Sequence, residues 1–417
     1  MFEVFERRES EVRGYCRHFP VMLKEGRNSE MFTADGERYI DFFAGAGALA
    51  YGHNNPYIKK KVLDYMNTDG IVQALDLYTP ITEKFFETLE EVILKPRNLD
   101  YKVQFCNASG ANAVEAALKL ARKYTGRSNI LACTGSYHGQ SLGALAVTSG
   151  VHGRGGAGVS LDNVTFVPYA TDMETEEQSL AYLRWILTDD HSGVTKPAAI
   201  ILEAVQGEGG IKAPSVEWLQ GVRKICDEFD ILMICDEIQA GVGRTGWFFA
   251  FERAEIVPDI VTVSKSIGGI GLPLSMVLMK PEIDKWSPGE HTGTFRGNQL
   301  SLLGATALLE YYRDNNMDIE VRRKGELIKE FAEKNIKPID ERIEVRGIGM
   351  FWGIDFSGID SALAEKVQAE CVKRHLIADI CGRNDCVLKI LAPLTIEDEI
   401  LLEGLNVIRD SMEAVLK

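Results

Sequence analysis

Between residues 101 and 263 the chain alternates short strand-like runs with segments of helical periodicity, and this alternation constrains the fold more than any other feature. The runs 101–106, 129–133, 198–202, 231–235 and 260–263 have strand length; 198–202 and 231–235 are wholly apolar, and 129–133 and 260–263 carry one polar residue each. Between them, 113–124 and 216–229 carry apolar residues at helical spacing, as in Val114, Ala117, Leu118 and Ala121. Apolar strands without alternation are buried on both faces, and helices between them supply the crossovers that parallel pairing needs. The pattern predicts an α/β fold with a mainly parallel sheet covered on both sides. Two other segments differ. Residues 31–43 read as a hairpin turning at Asp35-Gly36, and from about residue 300 long amphipathic helices with shorter strands suggest a second, α+β region.

A chain of 417 residues with 45% hydrophobic content holds two or three domains and a sizeable core. Its formal net charge of −15 argues against nucleic-acid or anionic-membrane partners, which need a cationic surface, but not against a small anion in a locally positive pocket. The cysteines at 16, 106, 133, 226, 235, 371, 381 and 386 include no C-x-x-C pair, so free thiols and no metal are expected. The acidic residues at the start do not suit a signal peptide, and no apolar run reaches the ~18 residues of a membrane span. A cytoplasmic protein is expected.

In open α/β sheets ligands sit beyond the carboxyl ends of the strands. The first such end runs into Asn107-Ala-Ser109-Gly110-Ala111, a small-residue turn opening a strong helix. Its free amides suit a phosphate, although an ordinary N-cap with a glycine turn explains the same residues. A second strand ends in Asp236-Glu237-Ile238-Gln239, where a buried acid is either a partner for a protonated ring nitrogen or a helix N-cap. A third ends in Ser264-Lys265-Ser266, where burial would make the amine nucleophilic unless the side chain reaches the surface. Two glycine patterns, Gly241-Val-Gly-Arg-Thr-Gly246 and Gly45-Ala-Gly-Ala-Leu-Ala50, lack the acid-free strand–helix setting of a dinucleotide site.

An anion cradle, a carboxylate and an amine are the three groups pyridoxal phosphate requires. With the further motifs Gly52-His53-Asn54-Asn55-Pro56, Tyr137-His138-Gly139, Glu203-Ala-Val-Gln-Gly-Glu208, Gly243-Arg-Thr-Gly246 and Gly293-Thr294-Phe295, the chain resembles the class III pyridoxal-phosphate aminotransferases of fold type I. The resemblance runs from about Tyr39 to Leu405 with the motifs in the family's order. It implies a seven-stranded, mainly parallel sheet in a large domain over 56–300. A smaller α+β domain would be built from both ends, 1–55 and 301–417.

The resemblance further implies that Lys265 forms the Schiff base and moves the proton, and that Asp236 pairs with the pyridine nitrogen. Gln239 would contact the ring hydroxyl, and Tyr137 and Ile238 would flank the ring, with His138 beside it. Ser109, Gly110 and Ala111 would hold phosphate. Thr294 would reach the neighbouring subunit's phosphate, implying a homodimer with shared sites, possibly a dimer of dimers. Glu203 and Glu208 resemble the carboxylates of the substrate gate. Lys389 stands where many members have arginine, keeping the charge but losing the bidentate fork. Arg154 and Arg296 are the other candidates for substrate carboxylates.

Within the class, Phe42-Phe-Ala-Gly-Ala-Gly-Ala-Leu49, Gly293-Thr-Phe-Arg-Gly-Asn298 and Lys389 are most similar to members that exchange an amino group, by a ping-pong route, between glutamate and the terminal carbon of aspartate 4-semialdehyde, giving 2,4-diaminobutyrate. Ser109-Gly-Ala departs from the Thr-Gly-Thr expected in that subgroup. The alternatives are another ω-amine, such as ornithine, 4-aminobutyrate or a natural-product diamine, and an aminomutase or racemase on the same fold. An inactive binding protein on this fold is the reading from outside enzymology.

Overall fold

The computed structural model describes residues 2–416. Its centre is a seven-stranded sheet in the order Lys102–Phe105, Met276–Met279, Ile260–Val263, Leu232–Asp236, Ala199–Leu202, Ile130–Cys133, Val164–Val167. Only Met276–Met279 runs against its neighbours; the other pairings are parallel. The five expected strands are all present, with ends shifted by no more than a residue. Two were not read from the sequence. Val164–Val167 is a half-buried edge strand with little apolar signal. Met276–Met279 is a four-residue apolar run after a Gly/Pro-rich loop, too short for periodicity to declare its type.

Successive residues of each strand divide between two cores. Ile130, Ala132, Ile201, Ile234 and Ile260 pack beneath the helix Gly110–Thr125. Leu131, Cys133, Ile200, Leu202, Met233 and Cys235 face the opposite way, toward Trp218, Leu219 and Val222 of Val216–Phe229. Burial on both faces is why these strands read as continuous apolar runs. Helix Gly110–Thr125 turns Ala113, Ala116, Ala117 and Ala121 to the sheet, so its backbone approaches closely. Its end is set by Gly126, whose left-handed conformation (φ 69°) closes the last turn onto the Arg122 carbonyl.

The hairpin at Asp35-Gly36 joins Glu30–Thr33 to Arg38–Asp41, with Gly36 at φ 94°. Leu376–Ile377 adds to Arg38–Asp41 in parallel, so segments more than three hundred residues apart share one four-stranded sheet. A second four-stranded sheet runs Glu344–Ile348, Phe351–Asp355, Val387–Ile390, Ile380–Cys381. The change of pattern near residue 300 marks the helix Gln299–Asp314, which packs on Pro56–Met66 and Pro80–Leu89. No helix among the described residues is long and apolar enough to cross a membrane.

Immediately past the strand Leu232–Asp236, Glu237 is buried and acts as a structural acceptor. Its two oxygens take the N–H groups of Ala250 (2.8 Å) and Phe251 (3.1 Å) at the start of the short helix Ala250–Ala254. Burial pushes its carboxyl up to about 8 from 4.5, against the pull of those two amides. Glu237→Ala is expected to leave both amides unpaired and to cost about 1–3 kcal/mol for each, read as a lowered denaturation midpoint. A raised carboxyl favours the folded state while protonated. The gap between the native protein and Glu237→Ala should therefore be widest below pH 4.5 and narrow as pH rises through about 8.

Candidate active site

Three adjacent strands deliver the chemistry. Ile260–Val263 ends at Ser264, after which Lys265 takes a left-handed φ of 52°, a conformation costing a non-glycine residue about 1–2 kcal/mol. Its neighbours hold it there: Ser264 Oγ donates to the Leu274 carbonyl (2.8 Å) and Ser266 Oγ to the Gly47 carbonyl (2.5 Å). The Lys265 amine points into a buried space and does not reach the surface. Burial lowers its pKa, and the negative charge of Glu208 only partly offsets this.

Asp236 is the last residue of Leu232–Asp236 and is buried. Its Oδ1 accepts from the Ile238 N–H (3.1 Å) and Thr262 Oγ1 (2.9 Å), and its Oδ2 lies 2.7 Å from His138 Nδ1. The residues after it form a turn and no helix, so Asp236 is not a helix cap. His138 is fully buried; burial pulls its pKa down, but the bond to Asp236 outweighs this and the net shift is upward. His138 Nε2 has no hydrogen-bond partner.

Ser109 is extended and makes no side-chain cap, so the first amides of Gly110–Thr125 are left for an outside acceptor at the positive end of the helix. A Cβ at position 110 would stand 2.9 Å from Ile238 Cδ1, so a larger residue there would have to push that side chain aside. The Tyr137 N–H donates to Glu203 Oε1 and the Gly207 N–H to its Oε2, both at 3.1 Å. Burial raises the Glu203 carboxyl to about 7. Glu208 is held below the usual range: burial pushes it up, but Lys389 and Lys265 outweigh that. Gln239 Nε2 donates to Glu208 Oε1 (3.0 Å), which turns its amide toward that carboxylate.

These groups converge on one cavity of about 400 Å³, lined by Ser109, Gly110, Ala111, Tyr137, His138, Glu203, Glu208, Asp236, Ile238, Gln239 and Lys265. Free amides at a helix start, an anchored carboxylate and a buried amine in one space fit a phosphorylated pyridine aldehyde. Lys389 sits against this cavity through Glu208, at 2.9 and 3.1 Å from its two oxygens.

Three expected residues stand elsewhere in the protomer. Arg154 Nη1 donates to the carbonyls of Leu145, Ala146 and Thr148 at 2.8–3.0 Å, and its guanidinium lies over Phe166. It closes a turn and is not free for a substrate. Arg296 donates to the Gly293 carbonyl and to Asp76 (both 3.0 Å), beside a separate groove with Phe86, Phe105 and Trp286. The Thr294 carbonyl accepts from Gln73, also outside the cavity. Conversely, Asp379 was not read from the sequence, yet it bonds Lys389 at 2.9 Å. Tyr15 was missed as well; its phenol is raised by burial and then by the charge of Asp379. An acid just after the apolar run Leu376–Ile377 was the one available signal for Asp379; Tyr15 had none. Among the described residues, Asp189, Asp190 and His191 group their ligand atoms within 4.8 Å on an exposed turn, far from this chemistry in sequence.

The family model for class-III aminotransferases matches residues 13–412. The diaminobutyrate–2-oxoglutarate transaminase of Halalkalibacterium halodurans is 49% identical over 417 residues, covering 99% of this chain and 97% of that protein. The protein of the same name from Bordetella parapertussis is 47% identical over 416 residues, covering 99% and 95%. Among solved structures, the ornithine aminotransferase from Toxoplasma gondii ME49 has a TM-score of 0.86 at 24% identity, covering 99% of this chain and 94% of that one. A transaminase from the marine bacterium Virgibacillus has a TM-score of 0.88 at 21% identity, covering 99% and 98%. Both share the fold. A match over nearly the whole length, on a cavity furnished in this way, makes the chain a member of the class III aminotransferases, with pyridoxal phosphate as its cofactor.

Proposed function

We propose that the chain exchanges an amino group between glutamate and the terminal carbon of aspartate 4-semialdehyde, interconverting them with 2-oxoglutarate and 2,4-diaminobutyrate in two half-reactions of ping-pong type. The observation that carries the transfer chemistry is the buried Lys265 amine sharing a cavity with the Asp236–His138 pair. The choice of substrates is supported by the names of the near full-length relatives.

Bound in this cavity, pyridoxal phosphate supplies the carbonyl that takes up the amino group and a ring that accepts the electron pair released at the reacting carbon. Lys265, whose pKa is lowered by burial, acts as nucleophile and carries the proton between donor and acceptor positions. Asp236, fixed by Thr262, the Ile238 amide and His138, keeps a proton on the pyridine nitrogen. Ser109, Gly110 and Ala111 hold the phosphate at the helix start. Tyr137 and Ile238 would hold the ring between them, and Gln239, bonded to Glu208, would meet its hydroxyl. Glu203 and Glu208 face the substrate.

Thr294 completes the phosphate site of a second subunit in this reading, which makes the enzyme a homodimer with shared sites that can pair into a dimer of dimers. The exposed Leu77, Tyr78 and Phe295 near it support a face that another subunit covers. The sheet shared by Arg38–Asp41 and Leu376–Ile377 supports a small domain from 1–55 and 301–417 beside a large one over 56–300. Unpaired cysteines, seven of them buried, support a cytoplasmic setting.

Offered with 2-oxoglutarate, 2,4-diaminobutyrate should yield glutamate faster than ornithine, 4-aminobutyrate or lysine does; a coupled glutamate assay ranks them, and no glutamate from diaminobutyrate would remove the substrate assignment. Lys265→Ala should lower turnover by at least about 10⁴-fold and abolish the visible absorbance of the covalently held cofactor. Normal turnover of that variant without added amines would be incompatible with the role. Asp236→Asn should keep the cofactor bound while slowing single turnover by about 10²- to 10⁴-fold, which rapid-mixing absorbance measurements would read.

A further inference from the structure

Lys389 is fully buried and has two carboxylate partners. Its Nζ lies 2.9 and 3.1 Å from the oxygens of Glu208 and 2.9 Å from Asp379 Oδ2. The backbone builds this arrangement. The Lys389 N–H donates to the Asp379 carbonyl (2.7 Å), and the Gly382 N–H donates to the Glu208 carbonyl (2.9 Å). Antiparallel pairing of Ile380–Cys381 with Val387–Ile390 sets the register that brings Asp379 opposite Lys389. Of the three, only Glu208 lines the cavity that holds Lys265. Its side chain keeps 31% exposure, against 0% for Lys389 and 10% for Asp379.

Counting charges decides what the cavity sees. Lys389 is pulled down by burial, but its two carboxylates outweigh this and it remains protonated. Glu208 remains ionised because Lys389 and Lys265 overcome its burial. One lysine facing one carboxylate would be neutral; here two carboxylates surround one ammonium, and the group as a whole carries −1. We infer that Asp379 neutralises Lys389, so that the Glu208 carboxylate faces the cavity as a recognition site for a second ammonium group on the amine substrate. This rests on the aminotransferase reading above and deepens it. The favoured amine is one that carries another ammonium a few bonds from the nitrogen being transferred, as 2,4-diaminobutyrate does. Glu208 and Lys265 line the same cavity of about 400 Å³, so one small molecule can meet both. When Glu208 turns away to admit a dicarboxylate, Lys389 and Asp379 remain as a neutral pair. The co-substrate is accommodated there without being attracted. Asp379 is thus a positioning residue that sets specificity through Lys389.

The test compares 2,4-diaminobutyrate with 4-aminobutyrate, which lacks the second ammonium, as donors to 2-oxoglutarate in the holoenzyme. The native enzyme should favour diaminobutyrate in kcat/KM by at least about tenfold. Asp379→Asn keeps the size and a hydrogen-bond acceptor but removes the charge. It should lower kcat/KM for diaminobutyrate about tenfold, mainly through KM, and change that for 4-aminobutyrate by less than about twofold. Asp379→Glu should restore the preference. Parallel losses with both donors, or an unchanged ratio, would overturn the inference, since a merely structural role moves both alike. If Asp379→Asn does not fold, equal kcat/KM for the two donors in the native enzyme overturns it independently. Absence of any glutamate from diaminobutyrate in the native enzyme overturns the substrate reading along with it, whereas glutamate formation with an unshifted ratio removes the Asp379 role alone.

Discussion

Charges held out of water in close company are the constraint on which the rest of this structure depends. Glu203, Glu208, Asp236, Lys265 and Lys389 are gathered around one small cavity, and removing each from water costs several kcal/mol, by the usual order of magnitude for a buried ion. For all of these but Lys265 the cost is offset by a partner within hydrogen-bond distance, so those partners must be placed to within a fraction of an ångström. Short parallel strands buried on both faces do this. They end at one edge of the sheet, packing on both faces holds them in place, and three neighbouring strands carry a charged residue at or just past their ends. Asp236 ends one strand, Lys265 comes just past the end of its neighbour in the sheet, and Glu203 follows the next strand along on the other side.

That logic explains how much was legible beforehand. Strands such as Ile130–Cys133 and Ala199–Leu202 announce themselves because burial on both faces removes every polar residue. The residues after the strands were equally legible: Ser109, Asp236 and Lys265 stand out because an acid, an amine or a small-residue turn is unexpected at the end of an apolar run. The edge strand Val164–Val167 lacks the second buried face and so lacks the signal. Asp379 reaches the site only through Lys389, and although it follows the apolar pair Leu376–Ile377, nothing local marks which cation it will meet. The arginines Arg154 and Arg296 illustrate the opposite difficulty. A cation in the sequence carries no sign of whether nearby carbonyls or an acid will already hold it, and both are held.

The overall charge of −15 and the chemistry of an anionic cofactor are reconciled at the same edge. The backbone amides at the start of Gly110–Thr125 offer a phosphate the positive potential of the dipole without a cationic side chain. The few buried cations then remain for other duties. Lys265 is left without a close ion-pair partner, so its amine is available for chemistry. Lys389 is given two such partners and is thereby taken out of chemistry altogether. Two lysines lie near one cavity, and the count of carboxylates around each separates their roles.

Lysine at position 389 therefore does more than imitate arginine imperfectly. A planar guanidinium presents a fork that one carboxylate fills by two parallel bonds, and a second carboxylate from another direction meets a poorer arrangement. An ammonium is a compact charge with three donors and accepts partners from several directions. The Glu208 loop on one side and the Asp379 strand end on the other can share it without either losing geometry. Net charge at the inner wall is then set by the number of acids around the lysine. With one acid the wall is neutral, and a substrate carboxylate gains a cation whenever that acid swings aside. With two it is negative, and the cation stays compensated in either position. Selection between a carboxylate and an ammonium on the incoming molecule thus lies in residue 379, on a strand end that touches the cavity only through its partner.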